Sequence, residues 1–202
     1  MFVDFRKYQA LGNDYIVIDP AEFPLEPSPE AVKAICDRSF GAGSDGILLG
    51  PLSGPDDIGG LGTGGGLGRI RRLGDSQVPW LRIFNPDGSE AEKSGNGLRI
   101  FSLYLAEAGY VGTEDFRIGT RGGTVLSRVV SLDPGRIRVE MGQPSFSTEA
   151  SGLACPGPEF VLGRLDLGSE AVEATFVSMG NPHCVVFVDE PSRELALSLI
   201  HI

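Results

Sequence analysis

The sequence has few of the residues on which metal sites, disulfide scaffolds and nucleic-acid surfaces depend. Only three cysteines and two histidines occur among the 202 residues. Cys36, Cys155 and Cys184 are widely spaced and form no C-x-x-C pair, which argues against a disulfide scaffold or a structural zinc site. Acidic residues outnumber basic ones by 27 to 17, which gives a net charge of −10. Such a chain lacks the clustered positive charge that binds nucleic acid or an anionic membrane surface.

Long apolar runs are also absent. None approaches the ~20 residues that span a bilayer, and the first ten residues lack the basic-then-apolar order of a signal peptide. The lysines, Lys7, Lys33 and Lys93, lie in no cofactor-anchoring motif, so amino-acid chemistry would run without pyridoxal phosphate. We therefore expect a cytoplasmic protein that needs no metal or cofactor and binds neither nucleic acid nor membrane.

The arrangement of apolar residues predicts many short strands and few helices, and therefore an α+β fold. Ser28 is placed to cap a helix over about residues 30–38. A second helix is predicted around Leu98, Phe101 and Leu105, which share one face. Its start is ambiguous, because both Ser89 and Ser94 have the pattern of an N-cap. A change of lobe is expected near residue 119, and Cys184, at the start of an apolar strand, is expected to pack in a core.

A glycine-rich insert occupies residues 54–72 and ends in three arginines. It could be a phosphate-binding loop or the tip of a hairpin inserted between two strands. We favour the hairpin tip, because the sequence contains no G-x-x-x-x-G-K-[ST] pattern.

Three polar, glycine-bearing segments beside predicted strand ends are the candidates for a functional site. Their amides, together with one at a predicted helix start, form a set of four: Asn13, Asn85, Asn96 and Asn181. An amide both donates and accepts hydrogen bonds, so such a set could hold the ammonium and carboxylate groups of a zwitterion. Taken singly, each asparagine is better explained as a turn residue, and it is the set of four that favours a binding role.

Two further residues invite a chemical interpretation. The segment Ser94-Gly95-Asn96-Gly97 precedes a helix, and the unpaired N–H groups of a helix N-terminus stabilise anions. A carboxylate could bind there beside Ser94, although the pattern taken alone favours Ser94 as a simple N-cap. His183 lies in a Gly-Asn-Pro loop, where it could relay a proton or be structural.

Four stretches of the chain, in order between residues 5 and 189, resemble the diaminopimelate epimerase family. They are KYQALGNDYIVID, GAGSDGILL, RIFNPDGSEAEKSGNGLRIF and VSMGNPHCVVFVD. The resemblance implies two pseudo-symmetric α/β lobes, each a curled sheet around a central helix, with an amino-acid substrate between them. It also implies cofactor-independent epimerisation of LL-diaminopimelate to meso-diaminopimelate, in lysine biosynthesis, and a possible homodimer.

The same resemblance implies roles for individual residues. Asn13, Asn85 and Asn181 are expected to contact substrate, Gly95 and Asn96 to offer amides to its carboxylate, and His183 to lie near the reacting centre. Ser94 occupies the position of the family's first catalytic cysteine. Because a serine hydroxyl is far less acidic than a thiol, a one-base dehydratase or isomerase of the same fold is an alternative, as is a non-catalytic amino-acid-binding relative.

The resemblance also suggests a domain division. We expect an N-terminal lobe over residues 1–118, the start of a truncated C-terminal lobe over 119–196, and a non-native tail over 197–202. A non-native tail is expected because the back-translation of these six residues resembles a transposon-derived sequencing adapter; a native apolar C-terminal tail is the alternative.

Overall fold

The computed structural model describes residues 5–22, 27–56, 77–149, 157–166, 171–179 and 182–200. The chain divides into two compact units, Met1–Met141 and Gly142–Ile202. In chain order, the first unit contains β1 (Arg6–Ala10), β2 (Asn13–Ile18), α1 (Pro29–Cys36), β3 (Ile47–Leu52), β4 (Trp80–Phe84), β5 (Glu90–Ala91), α2 (Gly95–Glu107), β6 (Phe116–Thr120), β7 (Gly123–Ser131) and β8 (Arg136–Glu140).

These strands form one sheet that curls around α2. Its order is β1-β2-β3-β4-β6-β7-β8, with β5 paired to β4. Helix α2 contacts β1 and β8, the two ends of that order, as well as β2, β3 and β7 between them. Neighbouring strands lie about 4.8 Å apart, so in a flat sheet the first and last strands of this order would be about 29 Å apart. A helix is only about 10–12 Å across and could not contact both of them. The sheet must therefore curl, which confirms the predicted α+β class and the curled sheet around a helix.

Strands β2 and β3 are buried on both faces. Tyr15 and Val17 pack in the core cluster that includes α2, whereas Ile16 and Ile18 pack in a second cluster with α1. This alternation follows from the two-residue period of a strand, and it explains why the run reads as continuously apolar. It also assigns Asn13, two residues before Tyr15, to the face that carries α2.

Both predicted helices of the first unit are present. Helix α1 begins at Pro29 with Ser28 as its N-cap, as the sequence indicated. Helix α2 begins at Gly95, so Ser94, not Ser89, is the cap. Its residues Leu98, Phe101 and Leu105 are completely buried, which confirms the predicted apolar face.

The second unit contains β9 (Gly163–Asp166), β10 (Ala171–Ser178), β11 (Pro182–Val185) and α3 (Arg193–Ile200). The strands form a sheet in the order β11-β10-β9. Phe160 packs on Phe176, with ring centroids 4.8 Å apart. The prediction that Cys184 packs in a core was wrong: its side chain is exposed, because β11 is an edge strand on which Pro182, His183 and Cys184 are all exposed.

The division between the units lies later in the chain than the boundary after residue 118. Strand β6 joins the first sheet, where Gly119 pairs in parallel with Trp80 of β4, and β7 and β8 follow by antiparallel pairing. Most of the glycine-rich insert, residues 57–72, lies outside the described residues. Within the described ranges, no helix combines the length and apolarity needed to cross a membrane.

Candidate functional site

The N-terminus of α2 is built from a short run of small residues. Ser94 has extended backbone angles (φ −143°, ψ 119°), and its Oγ accepts a hydrogen bond from Gly97 N at 3.0 Å. A Cβ at position 97 would lie 3.0 Å from Leu48 Cδ2 and 3.2 Å from Ser94 Oγ, so glycine allows this close approach. Among the residues described, no acceptor is found for the backbone N–H groups of Gly95 and Asn96. These two groups are therefore available to an anion.

Asn96 adds a side-chain donor to the same helix end. Its Oδ1 accepts a hydrogen bond from Arg99 Nη1 at 2.6 Å. Because this contact fixes the amide's orientation, the Nδ2 group is the part left to donate. The helix end thus presents donors only, as a carboxylate requires.

The side-chain amide of Asn13 is held the opposite way round from that of Asn96: its N–H donor is engaged and its oxygen is available. Its Nδ2 donates to Asp45 Oδ2 at 2.9 Å, which leaves Oδ1 as an acceptor. Asp45 is itself fixed by Arg38, whose Nη2 contacts Asp45 Oδ1 and Asp14 Oδ1, each at 2.7 Å. Lys7 Nζ completes the cluster at 2.8 Å from Asp14 Oδ2. Two cations and two carboxylates therefore balance within the group that orients Asn13.

The charges in this cluster stabilise one another. Hydrogen bonds from Arg38 and then Lys7 hold the pKa of Asp14 well below its usual range. The hydrogen bond to Asp14, followed by that to Asp45, raises the pKa of Arg38. Asp14 is consequently ionised at neutral pH and holds Arg38, which in turn contacts Asp45 beside the Asn13 amide.

Asn85 is fixed in the turn between β4 and β5. Its Nδ2 donates to Ser89 Oγ at 2.9 Å, and Ser89 Oγ donates in turn to Asp87 Oδ1 at 2.6 Å. The amide oxygen of Asn85 is left as an acceptor, like that of Asn13. Hydrogen bonds from the Ser89 side chain and then its backbone lower the pKa of Asp87, which keeps this carboxylate ionised as an acceptor for Ser89.

Strand register brings these groups to one end of the sheet. Ile16 of β2 pairs in parallel with Ile47 of β3, and Ile47 pairs antiparallel with Phe84 of β4. Residues before Ile16 and residues after Phe84 must then lie at the same end. Asn13 and Asn85 both lie at this end, and a contact from Tyr15 to Ser94 links it to the start of α2.

Sequence reasoning missed Tyr15 and Asp45. The Tyr15 hydroxyl lies 3.3 Å from Ser94 Oγ. Its signal was a hydroxyl at the first of the four buried positions of β2, which a burial pattern does not distinguish from core. Asp45 lies within one of the family-like stretches, but its contact with Asn13 joins residues 32 positions apart and could not be inferred from the sequence.

The remaining predicted residues belong to the second unit. His183 lies on β11 opposite Val177 and is exposed. Asn181 lies outside the described residues. The first unit therefore brings together Asn13, Asn85, Ser94, Gly95 and Asn96, and the roles of His183 and Asn181 stay predictions. In the part of the chain that is described, no group of three or more His, Cys, Asp or Glu residues could hold a metal ion.

Known proteins with similar sequences are diaminopimelate epimerases. Diaminopimelate epimerase 2 of Nostoc sp. (strain PCC 7120) is 43% identical over 193 residues, covering 95% of this chain and 60% of the relative. The diaminopimelate epimerase of Desulfitobacterium hafniense is 35% identical over 196 residues, covering 93% of this chain and 61% of the relative. The chain thus spans about 60% of the length of these relatives.

Solved structures support the same fold. A hydroxyproline epimerase from Agrobacterium vitis superposes with a TM-score of 0.59 at 16% identity, covering 96% of this chain and 56% of that one. A probable proline racemase from Agrobacterium radiobacter K84 gives a TM-score of 0.55 at 15% identity, covering 90% and 51%. The family described as diaminopimelate epimerase matches residues 5–147, which include every strand of the curled sheet and the whole of α2. The chain therefore belongs to the diaminopimelate epimerase family.

Proposed function

We propose that this protein binds an amino-acid zwitterion at the N-terminus of α2 and exchanges its α-proton, as an epimerase acting on diaminopimelate without a cofactor. One observation supports the proposal: two amide oxygens of fixed orientation and a set of N–H donors lie at the same end of the curled sheet. The oxygens of Asn13 and Asn85 suit an ammonium group. The N–H groups of Gly95 and Asn96 suit a carboxylate.

The helix end suits the chemistry as well as the binding. Removal of an α-proton delocalises negative charge into the adjacent carboxylate. Preoriented N–H donors and the positive end of α2 favour that charge in the transition state more than in the ground state. Ser94 lies at the same end, where its hydroxyl would exchange a proton with the α-carbon. His183 is proposed to assist this transfer from the second unit.

Ser94 also favours a second candidate function. A serine hydroxyl is a much poorer acid than the thiol that a helix N-terminus converts to a thiolate. Of the described cysteines, the one in the first unit is Cys36, which is buried in α1 within the cluster on the sheet face opposite α2 and so is not at the α2 end. An enzyme that moves a proton on one face only, such as an amino-acid dehydratase or isomerase, would need no thiol here.

The test is α-hydrogen exchange in deuterated water, followed by proton NMR with LL- and meso-diaminopimelate and no added cofactor. Chiral chromatography of the same samples identifies the product. Exchange with inversion supports the epimerase, and exchange or dehydration without inversion supports the one-face enzyme. Binding in a calorimeter without any exchange would contradict both and identify a non-catalytic amino-acid-binding relative.

The diamino acid itself and a homodimeric state are part of this proposal. They rest on the family to which the chain belongs. A competition series with shorter and longer amino acids tests the first, and light scattering coupled to gel filtration tests the second.

A further inference from the structure

In the described part of the chain, Tyr15 is the residue whose side-chain hydroxyl lies within hydrogen-bonding distance of Ser94 Oγ. The two oxygens are 3.3 Å apart, and either could be the donor by distance alone. Tyr15 lies on β2 and Ser94 at the start of α2, so the contact joins residues 79 positions apart. The function proposed above makes no use of it.

Chemistry decides the direction of this hydrogen bond. Ser94 Oγ already accepts from Gly97 N at 3.0 Å, which leaves it one further lone pair and its own proton. A phenol is a stronger acid than an aliphatic alcohol, and the stronger acid is the better donor. With Tyr15 donating, both lone pairs of Ser94 are satisfied and its proton points away from the protein donors. With the reverse direction, the serine proton would be held by Tyr15.

The Tyr15 ring cannot move away from Ser94. It is 6% exposed and belongs to the core cluster that includes Leu48 and Leu98. Gly46 lies against its edge: a Cβ there would come within 2.8 Å of Tyr15 Cε1 and 2.3 Å of the Phe84 carbonyl oxygen. The absence of a side chain at position 46 therefore makes the space that the ring fills. Because the ring is held in this way, the Tyr15 hydroxyl has a fixed direction, toward Ser94 Oγ.

We propose that Tyr15 is a positioning residue that acts through Ser94, directing its hydroxyl outward and resupplying its proton. The proposal rests on the proposed function. When Ser94 gives its proton to the α-carbanion, its O–H bond breaks and a C–H bond forms. Tyr15 then gives its proton to Ser94 Oγ, and the negative charge that began on carbon ends on the Tyr15 oxygen. Abstraction of the α-proton is the reverse sequence.

The hydrogen bond is tested without any activity measurement. The chain has four tyrosines, so protein labelled with ¹³C at tyrosine Cζ gives few resonances, and loss of one in Y15F assigns it. We expect the Tyr15 resonance to shift in S94A and to stay in place in S28A, which removes the cap of the other helix in this unit. A Tyr15 resonance that does not respond to S94A would overturn the proposal.

The proton-supply role is tested by a double-mutant cycle on α-hydrogen exchange. A thiol at position 94 ionises on its own, so it has no need of a phenol. We expect Y15F to lower kcat about tenfold or more with Ser94 present, with little change in KM, and less than about twofold in the S94C background. Y8F is the matched control, since Tyr8 contacts Glu107 and lies outside the Ser94 pair.

Two outcomes contradict this role. Equal losses in the two backgrounds would mean that Tyr15 matters only for packing. No loss in either would mean that Ser94 does not depend on it. Absence of exchange in both wild type and S94C would instead reject the proposed function, and with it the proton supply, while the NMR result would still decide whether the hydrogen bond exists.

Discussion

The side chain at position 94 determines how acidic a group the α2 end offers to a substrate. The position combines a cap hydrogen bond, a phenol neighbour and the positive end of a helix dipole. A serine at this point remains a neutral hydroxyl, which these surroundings orient and to which Tyr15 is proposed to resupply a proton. A cysteine would use the same surroundings to ionise, because helix N-termini lower thiol pKa values from about 8.5 into the range 3.5–7.5.

S94C should therefore raise the rate of α-hydrogen exchange in diaminopimelate. We expect an increase of about 10²-fold, the lower end of what a well-placed proton-transfer group contributes. Exchange rates in deuterated water measure it. S39C, at an exposed loop position, is the control for a new thiol alone and should leave the rate unchanged. An S94C rate at or below that of wild type would contradict the role given to this position.

Asp14 connects residue-scale electrostatics to stability. Its pKa is lowered in the folded protein by Arg38 and Lys7, so its contribution to stability is complete above the unfolded pKa near 4. That contribution is lost as the pH falls from about 4 toward the folded pKa. The protein should therefore become less stable through this acidic window.

D14N should unfold at lower urea than wild type at pH 7, and the difference should shrink as the pH is lowered below about 4. Urea titrations at several pH values, followed by tryptophan fluorescence, measure the gap. D56N, at an exposed position with no contact to the cluster, should show no such narrowing. If the difference in urea midpoint between wild type and D14N stays constant down to pH 2, the charge of the Asp14 carboxylate is not what stabilises the cluster with Arg38 and Lys7.

Helix α2 is the element on which both the core and the site depend. Its apolar face fills the curled sheet, while its first residues form the donor set. The same serine that caps the helix also lies at the proposed reaction centre. Capping and chemistry can be separated because α1 has an equivalent cap at Ser28, whose Oγ accepts from Ala31 N at 3.2 Å.

S94A and S28A should each lower the free energy of unfolding by about 1 kcal/mol, the usual cost of losing an N-cap side chain. Only S94A should also reduce α-hydrogen exchange. Urea unfolding and exchange kinetics on the two variants measure both effects. Equal losses of activity in the two variants would mean that position 94 acts through helix stability alone.

At the scale of the whole molecule, burial is distributed unevenly between the two units. Buried residues from five strands and two helices of the first unit supply its two apolar clusters. In the described part of the second unit, the fully buried apolar residues are Ala174 and Phe176. A segment with more buried apolar contacts is better protected against local unfolding. The second unit should therefore unfold locally more readily than the first.

Hydrogen-exchange mass spectrometry should show this difference directly. Peptides from α2 and β3 should exchange their amides markedly more slowly than peptides from β10, at neutral pH and 25 °C. The comparison is internal to one sample and needs no variant. Equal protection of β10 and α2 would contradict the unequal stability of the units.

The sequence by itself determined the local elements and the chemical types at the site. The spacing of Leu98, Phe101 and Leu105 fixed the buried face of α2, and the amide and glycine segments indicated a zwitterion site. These features depend on neighbours within a few residues, where a helix or strand period decides what faces inward. The wrong expectation for Cys184 arose because an apolar strand does not reveal whether it lies at the edge of its sheet.

Only the tertiary structure decided how those groups are oriented and which of them act together. Asp45 fixes the Asn13 amide, and Tyr15 contacts Ser94 across 79 residues of sequence. Both contacts depend on strand register and on the curl of the sheet around α2. The same is true of the first unit's extent to Met141, since β6 joins β4 through a parallel pairing. Hydrogen bonds between distant segments follow from packing, and packing is a property of the folded chain that no local pattern contains.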